Sequence, residues 1–166
     1  MVLDTERLAL RPPRLADVPA LYSFLGDAEA MRFTHADASP RDCRRRVLVH
    51  EWFRRRDGFA PWTVIRRSDQ RIIGWGGLYK DPFDPGWGIE VGYHFHRDAW
   101  GQGFASELVR AALALADHRL GLLEVFAFTR EENAGSRRVL GKAGFSVVRP
   151  VPEMERLLWR RGRYGL

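Results

Sequence analysis

Two glycines, Gly101 and Gly103, mark the segment with the clearest capacity for chemistry. Apolar residues precede this segment, and those after it repeat at helical spacing, which predicts a strand, a loop and then a helix. Glycine places no side chain in the path of an anion, and the first amides of a helix have no intrahelical partner. The helix dipole adds attraction, so the segment predicts a phosphate cradle. The pair alone is equally typical of a tight turn.

Length and composition favour one soluble domain over residues 1–166. The chain has 166 residues, of which 45% are hydrophobic, and this is enough to bury a sizeable core. A single cysteine, Cys43, excludes an internal disulfide and a four-cysteine zinc site, and it predicts a reducing, cytoplasmic location. Charges interrupt the first residues and no long apolar run follows, so neither a targeting signal nor a membrane span is expected.

The positive charge of the chain concentrates in one predicted helix. A net charge of +6 favours anionic partners such as a phosphorylated cofactor, an acidic peptide or nucleic acid. Ser39 and Pro40 are typical of a helix cap and a first helical residue. The basic residues that follow are Arg44, Arg45, Arg46, Arg54, Arg55 and Arg56. Charge runs on helices are usually solvated, so we favour a solvated face over a nucleic-acid patch.

The elements that would position the glycine loop are strands and helices in a mixed α/β order. Apolar alternation and β-branched residues predict seven strands, at residues 3–11, 62–66, 71–79, 87–95, 122–128, 145–148 and 153–160. Helical periodicity and capping residues predict four helices, at residues 16–25, 40–56, 104–118 and 133–143. The helical crossover after the loop predicts that the strands at 87–95 and 122–128 are parallel.

The strand before the loop has one apolar and one polar face. Its apolar residues are Ile89, Val91, Tyr93 and Phe95, and they alternate with Glu90, Gly92, His94 and His96. A glycine in the middle of a strand is costly unless a β-bulge or a closely approaching ligand uses it. We therefore expect an irregularity at Gly92, beside the glycine loop.

Taken in order, these segments resemble the GNAT N-acetyltransferases. The resemblance rests on Trp100-Gly101-Gln102-Gly103-Phe104-Ala105-Ser106-Glu107, preceded by Ile89-Glu90-Val91-Gly92-Tyr93 and followed by Asn133-Ala134-Gly135-Ser136 and Gly141-Lys142-Ala143-Gly144-Phe145. It extends from Thr5-Glu6-Arg7-Leu8 to Phe145, and the order and spacing of the pieces make it specific. Within the family the sequence is most similar to the RimJ/RimL branch, which acetylates protein N-termini.

The resemblance implies a mixed, mostly antiparallel sheet of about six to seven strands, flanked by about four helices. The sheet would splay between the strands ending near Phe95 and Phe128, and acetyl-CoA would enter there as cosubstrate, without a metal. Amides of residues 102–106 would bind the pyrophosphate, and residues 95–97 would pair with the pantetheine arm. The implied cofactor-binding residues are Phe95, His96, Arg97, Gly101, Gln102, Gly103, Phe104, Ala105, Ser106, Asn133 and Ser136.

The implied reaction is direct attack of a primary amine on acetyl-CoA in a ternary complex. It needs a neutral amine, support for an oxyanion and a proton for the leaving thiolate. Glu90 is the candidate base, directly or through water, with His94 in reserve, and a backbone N–H near residues 93–95 would support the oxyanion. Ser136 is the candidate acid because Leu140 stands where many family members have a tyrosine. Glu90 as a solvated carboxylate and Ser136 as a first-turn residue are the structural alternatives.

The sequence does not choose the acceptor, since acceptor pockets are built from variable loops such as residues 33–39 and 80–87. A peptide or protein N-terminus and a small-molecule amine both fit. We expect acetyl-CoA and such an amine as partners, without a membrane or nucleic acid, and a homodimer is compatible with the sequence. Two other functions stay open: a dinucleotide-binding oxidoreductase, although Ser106 replaces the third glycine, and a basic nucleic-acid-binding module.

Overall fold

An eight-stranded sheet organises the computed structural model, which describes residues 2–163. In chain order the strands are β1 (Leu3–Asp4), β2 (Leu8–Arg11), β3 (Trp62–Arg66), β4 (Arg71–Tyr79), β5 (Glu90–Phe95), β6 (Glu124–Thr129), β7 (Ser146–Val151) and β8 (Arg156–Gly162). Their spatial order is β1-β2-β3-β4-β5-β6-β8-β7. The pair β5–β6 is parallel, as predicted, and the other neighbouring pairs of the described sheet are antiparallel.

Four α-helices accompany the sheet, in agreement with the sequence prediction: α1 (Val18–Leu25), α2 (Pro40–Asp57), α3 (Phe104–Leu115) and α4 (Ala134–Lys142). Local chemistry begins and ends them. The Ser39 hydroxyl accepts a hydrogen bond from the Asp42 amide at 3.2 Å, and Gly58 ends α2 with φ of 86°. The Asn133 side chain caps α4 by accepting from the Ser136 amide at 3.1 Å. None of the described helices is both long and apolar enough to cross a membrane.

Two apolar clusters occupy opposite faces of the sheet. The larger cluster includes residues of β2, β4, β5, α3 and α4, among them the fully buried Leu8 and Leu108. The smaller one packs α1 and α2 on the other face, with Trp75 of β4 and the buried Cys43. The sheet thus forms the middle layer.

Helix α2 buries only part of the apolar face that its sequence indicates. The apolar residues Val47, Leu48, Trp52 and Phe53 predict one common face, and Val47 is buried, but Leu48 and Trp52 are 48% and 58% exposed. Cys43 and His50 are buried together with Val47. The buried residues lie three or four positions apart, so the apolar stripe follows the helical period and leaves the large side chains beside it outside.

Strand boundaries differ from the prediction where local geometry interrupts the ladder. The predicted strand 3–11 is two strands that pair as a hairpin, because the chain turns at Thr5, whose amide donates to the Leu8 carbonyl at 2.8 Å. The predicted strand 153–160 begins only at Arg156, after a 3₁₀ turn at Pro152–Met154. Proline supplies no N–H for a ladder, which favours the turn.

The expected bulge at Gly92 is absent from β4 and β5, whose register runs continuously from Gly74 opposite Phe95 to Tyr79 opposite Glu90. The prediction of a bulge is therefore wrong. A Cβ atom on Gly92 would lie 2.9 Å from Cε1 and 3.0 Å from the hydroxyl oxygen of Tyr79. Glycine is needed here because the Tyr79 ring covers its α-carbon.

Candidate active site

Strands β5 and β6 diverge soon after they meet. Their ladder contains a single residue pair, Glu90 with Phe126, and the Phe126 amide donates to the Ile89 carbonyl at 2.9 Å. On its other side β5 keeps six registered pairs with β4. The sheet therefore opens beside the later half of β5, at the position that the sequence predicted.

A cavity of about 690 Å³ occupies this opening. Its walls come from β5, the glycine loop, the end of β6, the start of α4, the loop after α1 and the first residue of β8. This volume is within the usual range for ligand pockets, about 300–1,000 Å³. One end lies at the glycine loop and α4, and the other lies at Tyr79, His94 and Arg156.

The glycine loop has a backbone that favours glycine, with φ of 72° at Gly101 and 82° at Gly103. The N-terminal segment holds it in place. An Arg7 Nη1 group donates to the Gln102 carbonyl at 2.8 Å, and the same guanidinium lies 4.6 Å from the centre of the Phe104 ring. Residues almost a hundred positions apart thus fix the shape of the loop.

Glu107, in the first turn of α3, anchors this arrangement. Its carboxylate accepts hydrogen bonds from the Thr5 hydroxyl at 2.6 Å, the Arg7 amide at 2.7 Å and the Arg7 Nε at 2.8 Å. Burial opposes ionisation, but the bonds from Thr5 and Arg7 prevail and lower the pKa of Glu107 below its usual value. Glu107 is therefore an ionised structural carboxylate.

The start of α3 fits a phosphate group. Its first intrahelical bond runs from the Glu107 amide to the Gly103 carbonyl, so the amides of residues 104–106 have no acceptor within the helix. Arg138 and Lys142 of α4 also line this end of the cavity. Free amides, a helix N-terminus and two cations can together hold a diphosphate.

The backbone of β5 presents alternate residues to the opening. The His96 amide donates to the Ile73 carbonyl of β4 at 2.8 Å, so it is not available to a ligand. Because alternate residues of a strand point their polar groups to the same neighbour, Tyr93 and Phe95 direct theirs away from β4. The Phe95 carbonyl also accepts from the Trp100 indole at 3.1 Å.

Most of the predicted cofactor-binding residues line the cavity: Phe95, Gly101, Gly103, Phe104, Ala105, Ser106, Asn133 and Ser136. His96, Arg97 and Gln102 do not belong to its lining. The His96 ring lies 2.8 Å from an Asp98 oxygen, and the Arg97 guanidinium pairs with Asp27 at 2.8 Å. Their side chains stabilise the turn rather than the cavity wall.

Glu90 lies behind the wall of the cavity. Its side chain is almost fully buried, with the residue only 4% exposed, so the solvated alternative is wrong. The Tyr79 hydroxyl, which does line the cavity, donates to its Oε2 at 3.2 Å. Burial first, and then the neighbouring Asp81, raise the pKa of Glu90 to about 7, against the opposing effects of Tyr79 and Arg156.

Tyr79 connects Glu90 to the cavity. Burial and the adjacent Glu90 carboxylate raise the pKa of Tyr79 well above its usual value, so its hydroxyl is protonated near neutral pH. A neutral hydroxyl can accept one proton and donate another at the same time. The sequence did not single out Tyr79. Tyr79 and Glu90 are distant along the chain, and only the pairing of β4 with β5 brings them into contact.

His94 faces the cavity as a weak base. Its ring stacks on Trp75 with 6.0 Å between centroids. Burial first, and then the positive charges of Arg46 and Arg156, lower the pKa of His94 to about 3. The imidazole is neutral at pH 7, and Glu90 has the acidity better suited to a general base.

Ser136 and Tyr93 form a hydroxyl pair on the cavity wall. Burial raises the pKa of Tyr93 to about 12, and the hydrogen bond with the Ser136 hydroxyl opposes that rise. The sequence assigned Tyr93 only to the apolar face of β5. Strand alternation alone could not show that the Tyr93 phenol lies next to Ser136.

Comparison with solved structures identifies the class of the fold. An acetyltransferase from Agrobacterium tumefaciens superposes with a TM-score of 0.83 at 22% identity, covering 98% of this chain and 95% of that one. The RimL ribosomal L7/L12 α-N-protein acetyltransferase in complex with coenzyme A gives 0.81 at 17% identity, covering 98% of both chains. The fold is that of an acetyltransferase.

Sequence comparison identifies the family. The profile described as "Acetyltransferase (GNAT) domain" matches residues 7–146. The chain therefore belongs to the GNAT acetyltransferase family, whose members use acetyl-CoA, and it is an acyltransferase. The uncharacterized N-acetyltransferase YoaA of Bacillus subtilis is 25% identical over 147 residues, covering 87% of this chain and 82% of the relative.

Proposed function

We propose that this enzyme transfers the acetyl group of acetyl-CoA to a primary amine by direct attack in a ternary complex. The acceptor is a peptide N-terminal α-amine or a small-molecule amine. The observation that carries the proposal is one cavity at the opening between β5 and β6, lined both by the start of α3 and by Tyr79, which donates a hydrogen bond to the buried Glu90 carboxylate. Binding at one end and proton acceptance at the other are the two requirements of the reaction.

The chain offers a complete set of groups for the cosubstrate. Amides of residues 104–106 would hold its diphosphate, with Arg138 and Lys142 adding positive charge. The unpaired edge of β5 at Phe95 and the Asn133–Ser136 turn would hold the arm that leads to the thioester. When bound, acetyl-CoA supplies the activated acetyl group; the protein supplies position and protons.

Glu90 accepts the proton of the acceptor amine through Tyr79. The Tyr79 hydroxyl takes a proton from the amine on its cavity side and passes its own proton to Glu90 Oε2, 3.2 Å away. After the transfer the amine has lost one proton and the Glu90 carboxylate has gained one. Tyr79 is again a neutral hydroxyl. A base with a pKa near the working pH is the most effective, and Glu90 has a pKa of about 7.

Ser136 passes its hydroxyl proton to the leaving thiolate, Tyr93 passes its own proton to Ser136, and the Tyr93 oxygen regains a proton from solvent. Both side chains line the cavity, and Asn133 fixes the Ser136 backbone by accepting from its amide at 3.1 Å. The tyrosine that many family members carry at Leu140 is thereby replaced in function by one on β5. Amide groups of Tyr93 and Phe95 that β4 does not use are placed to support the carbonyl oxygen.

The finer assignments are part of the same proposal. The Trp100-Gly101 start of the loop and the similarity to RimL support the RimJ/RimL branch, and the Agrobacterium acetyltransferase is structurally as similar. The free, buried Cys43 supports a cytoplasmic location.

Calorimetry and a thiol-release assay test the proposal. Wild-type protein should bind acetyl-CoA and release free thiol when an amine is added. Gly101→Ala should weaken acetyl-CoA binding about tenfold by crowding the cradle, which is about 1.4 kcal/mol. Gly121→Ala is the matched control, because Gly121 also has a positive φ (63°) and open space around it but lies at the far end of α3.

Three results would count against parts of this proposal. Folded wild-type protein that shows no heat with acetyl-CoA has no cosubstrate site. Equal weakening by both glycine variants would mean that backbone strain, rather than the cradle, causes the loss. NADH binding without acetyl-CoA binding would favour the oxidoreductase alternative.

A further inference from the structure

Three arginines from separate segments line the cavity: Arg32, Arg130 and Arg156. The Arg32 guanidinium lies 5.6 Å from the centre of the Trp100 ring, beside the glycine loop. Arg32 belongs to the loop after α1, Arg130 follows β6 and Arg156 begins β8. Arg32 pairs with Glu29 at 2.7 Å and is largely exposed, whereas the other two are partly buried. Arg156 is the one of the three whose charge acts on Tyr79 and His94, at the acceptor end of the cavity.

Arg156 has the least compensation. Its guanidinium donates a hydrogen bond of 3.4 Å to the Thr34 hydroxyl, and within residues 2–163 no carboxylate oxygen lies within 4.0 Å of it. Arg130 pairs with Glu155 at 3.3 Å, but its Nε is buried and has no hydrogen-bond partner among the described residues. A partly desolvated guanidinium without a counter-ion is unfavourable unless a ligand supplies one.

Arg156 also lies beside the proposed proton acceptors. Its charge acts on Tyr79, Glu90 and His94, lowering the pKa of each against the effect of burial on the two acids. These three residues come from two neighbouring strands, and Arg156 reaches them from the opposite side of the opening. An anion bound to Arg156 would therefore be a near neighbour of the amine that Tyr79 deprotonates.

Two carboxylates act on the same region from the loop between β4 and β5. Asp81 and Asp84 both raise the pKa of Glu90, although neither side chain belongs to the cavity lining. Their negative charge favours an ammonium group near Glu90, while the positive charge of Arg156 favours an anion in the cavity.

We infer that the acceptor is a small zwitterionic amine, with a carboxylate or a similar oxyanion a few bonds from its nitrogen, and that Arg156 binds this anion. A free amino acid is the simplest molecule of this class. The inference rests on the proposed acetyl transfer and adds the substrate class. Polycationic amines would meet the arginines with like charge, and an ordinary peptide N-terminus has a neutral amide where the anion is needed.

Matched acceptors test the inference in the thiol-release assay. Alanine and alaninamide differ only in the charge next to the amine, and the amide has the less basic nitrogen, so simple chemistry favours the amide. We expect kcat/KM to be at least about tenfold higher for alanine, the size of one charge-assisted contact. Arg156→Met should remove this preference, while Arg156→Lys should retain part of it. Arg110→Met, an exposed change on α3, is the control.

Aspartyl-alaninamide and asparaginyl-alaninamide form a second matched pair, which tests whether the anion can come from an acidic first residue of a peptide. Preference for alanine over both peptides supports the inference; preference for the aspartyl peptide over alanine overturns the small-molecule assignment. If no acceptor reacts, binding of N-acetylalanine and N-acetylalaninamide to enzyme saturated with coenzyme A decides. Equal binding overturns the inference.

Failure of this inference is distinguishable from failure of acetyl transfer. Protein that binds acetyl-CoA and acetylates alaninamide as well as alanine is an acetyltransferase without an anion site. A parallel loss for both acceptors in Arg156→Met would also overturn the anion role. Protein that does not bind acetyl-CoA contradicts the proposed function itself.

Discussion

Glu90 and Glu107 are buried to nearly the same degree, with 4% and 5% of the residue exposed, yet their acidities are shifted in opposite directions. Glu107 accepts three short hydrogen bonds from Thr5 and Arg7, one from a cationic guanidinium, and its pKa is lowered. Glu90 accepts one longer bond from Tyr79, lies near two aspartates, and has a pKa of about 7. Burial raises the pKa of both carboxyls: it prevails at Glu90, which lies deeper in the protein, whereas the hydrogen bonds from Thr5 and Arg7 prevail at Glu107.

The two carboxylates accordingly have different uses. Glu107 holds the N-terminal segment against α3 and, through Arg7, shapes the glycine loop. Glu90 is held in a setting that disfavours its charge, which makes it a better proton acceptor and a less stable buried group. Glu107 stabilises the fold around the glycine loop, and in the proposed mechanism Glu90 is the proton acceptor, at the cost of stability.

The largest effect is expected for turnover in Glu90→Gln. Removing the proton acceptor should lower kcat by about 10²–10³-fold, the usual range for a general base, and leave acetyl-CoA affinity nearly unchanged. Steady-state kinetics and calorimetry measure the two quantities. Unchanged turnover would remove Glu90 from the mechanism and leave its difference from Glu107 without a catalytic meaning.

The same variant should show a pH-dependent gain in stability. Between the unfolded pKa of glutamate and about 7, the folded protein holds more protons at Glu90 than the unfolded chain, so wild-type stability falls as the pH rises through this window. Glutamine cannot ionise. The stability of Glu90→Gln relative to wild type should therefore increase by about 3 kcal/mol between pH 4 and pH 8.

Urea denaturation at the two pH values measures this change, and comparing differences cancels any constant packing effect of the substitution. If the difference in unfolding free energy between Glu90→Gln and wild type did not change with pH, the pKa of Glu90 would not be raised in the folded protein.

Glu107→Gln should behave in the opposite way. It removes the carboxylate that accepts hydrogen bonds from Thr5 and Arg7. We therefore expect a loss of about 2 kcal/mol in the free energy of unfolding at pH 7. Because the folded pKa of Glu107 is lowered, its contribution is present above the unfolded pKa and is lost as the pH falls through the folded pKa. The penalty should shrink in acid.

The glycine loop provides a second measurement on this variant. A loosened Arg7 should raise the dissociation constant for acetyl-CoA several-fold, while kcat at saturating cosubstrate changes little. A variant with wild-type stability at pH 7 would show that the hydrogen bonds to Glu107 carry no net free energy.

The smallest effect is expected for Tyr79→Phe, which tests how Glu90 reaches the cavity. Loss of the hydroxyl removes a hydrogen bond that lowers the pKa of Glu90, so the acidic limb of the pH profile should move upward. If Tyr79 also relays the proton, kcat should fall about tenfold, or about 1.4 kcal/mol, even at pH 9. Full recovery at pH 9 would leave Tyr79 only an electrostatic role.

Local patterns in the sequence predicted most of the elements. Ser39 and Asn133 were recognised as helix caps, and the structure confirms both through bonds to amides three residues ahead. The glycine loop and the parallel β5–β6 pair were predicted from the order strand, loop, helix, strand. These features depend on neighbours within one or two turns, and for that reason a single sequence reveals them.

Features that depend on distant residues were missed or misread. Gly92 was expected at a bulge, whereas it makes room for the Tyr79 ring across the β4–β5 ladder. The turn at Thr5 was predicted as strand; its amide bonds locally to Leu8, but the bond that anchors its hydroxyl to Glu107 joins residues 102 positions apart. No local pattern carries information about such contacts.

The amino-acid sequence by itself determined the order of elements, the glycine-lined helix start and the presence of Glu90 near it. Only the tertiary structure decided which carboxyl has a raised pKa and which has a lowered one, because a pKa follows from the groups that surround an atom in space. For Glu90 those groups come from β4, the following loop and the start of β8. For Glu107 they come from the N-terminal turn.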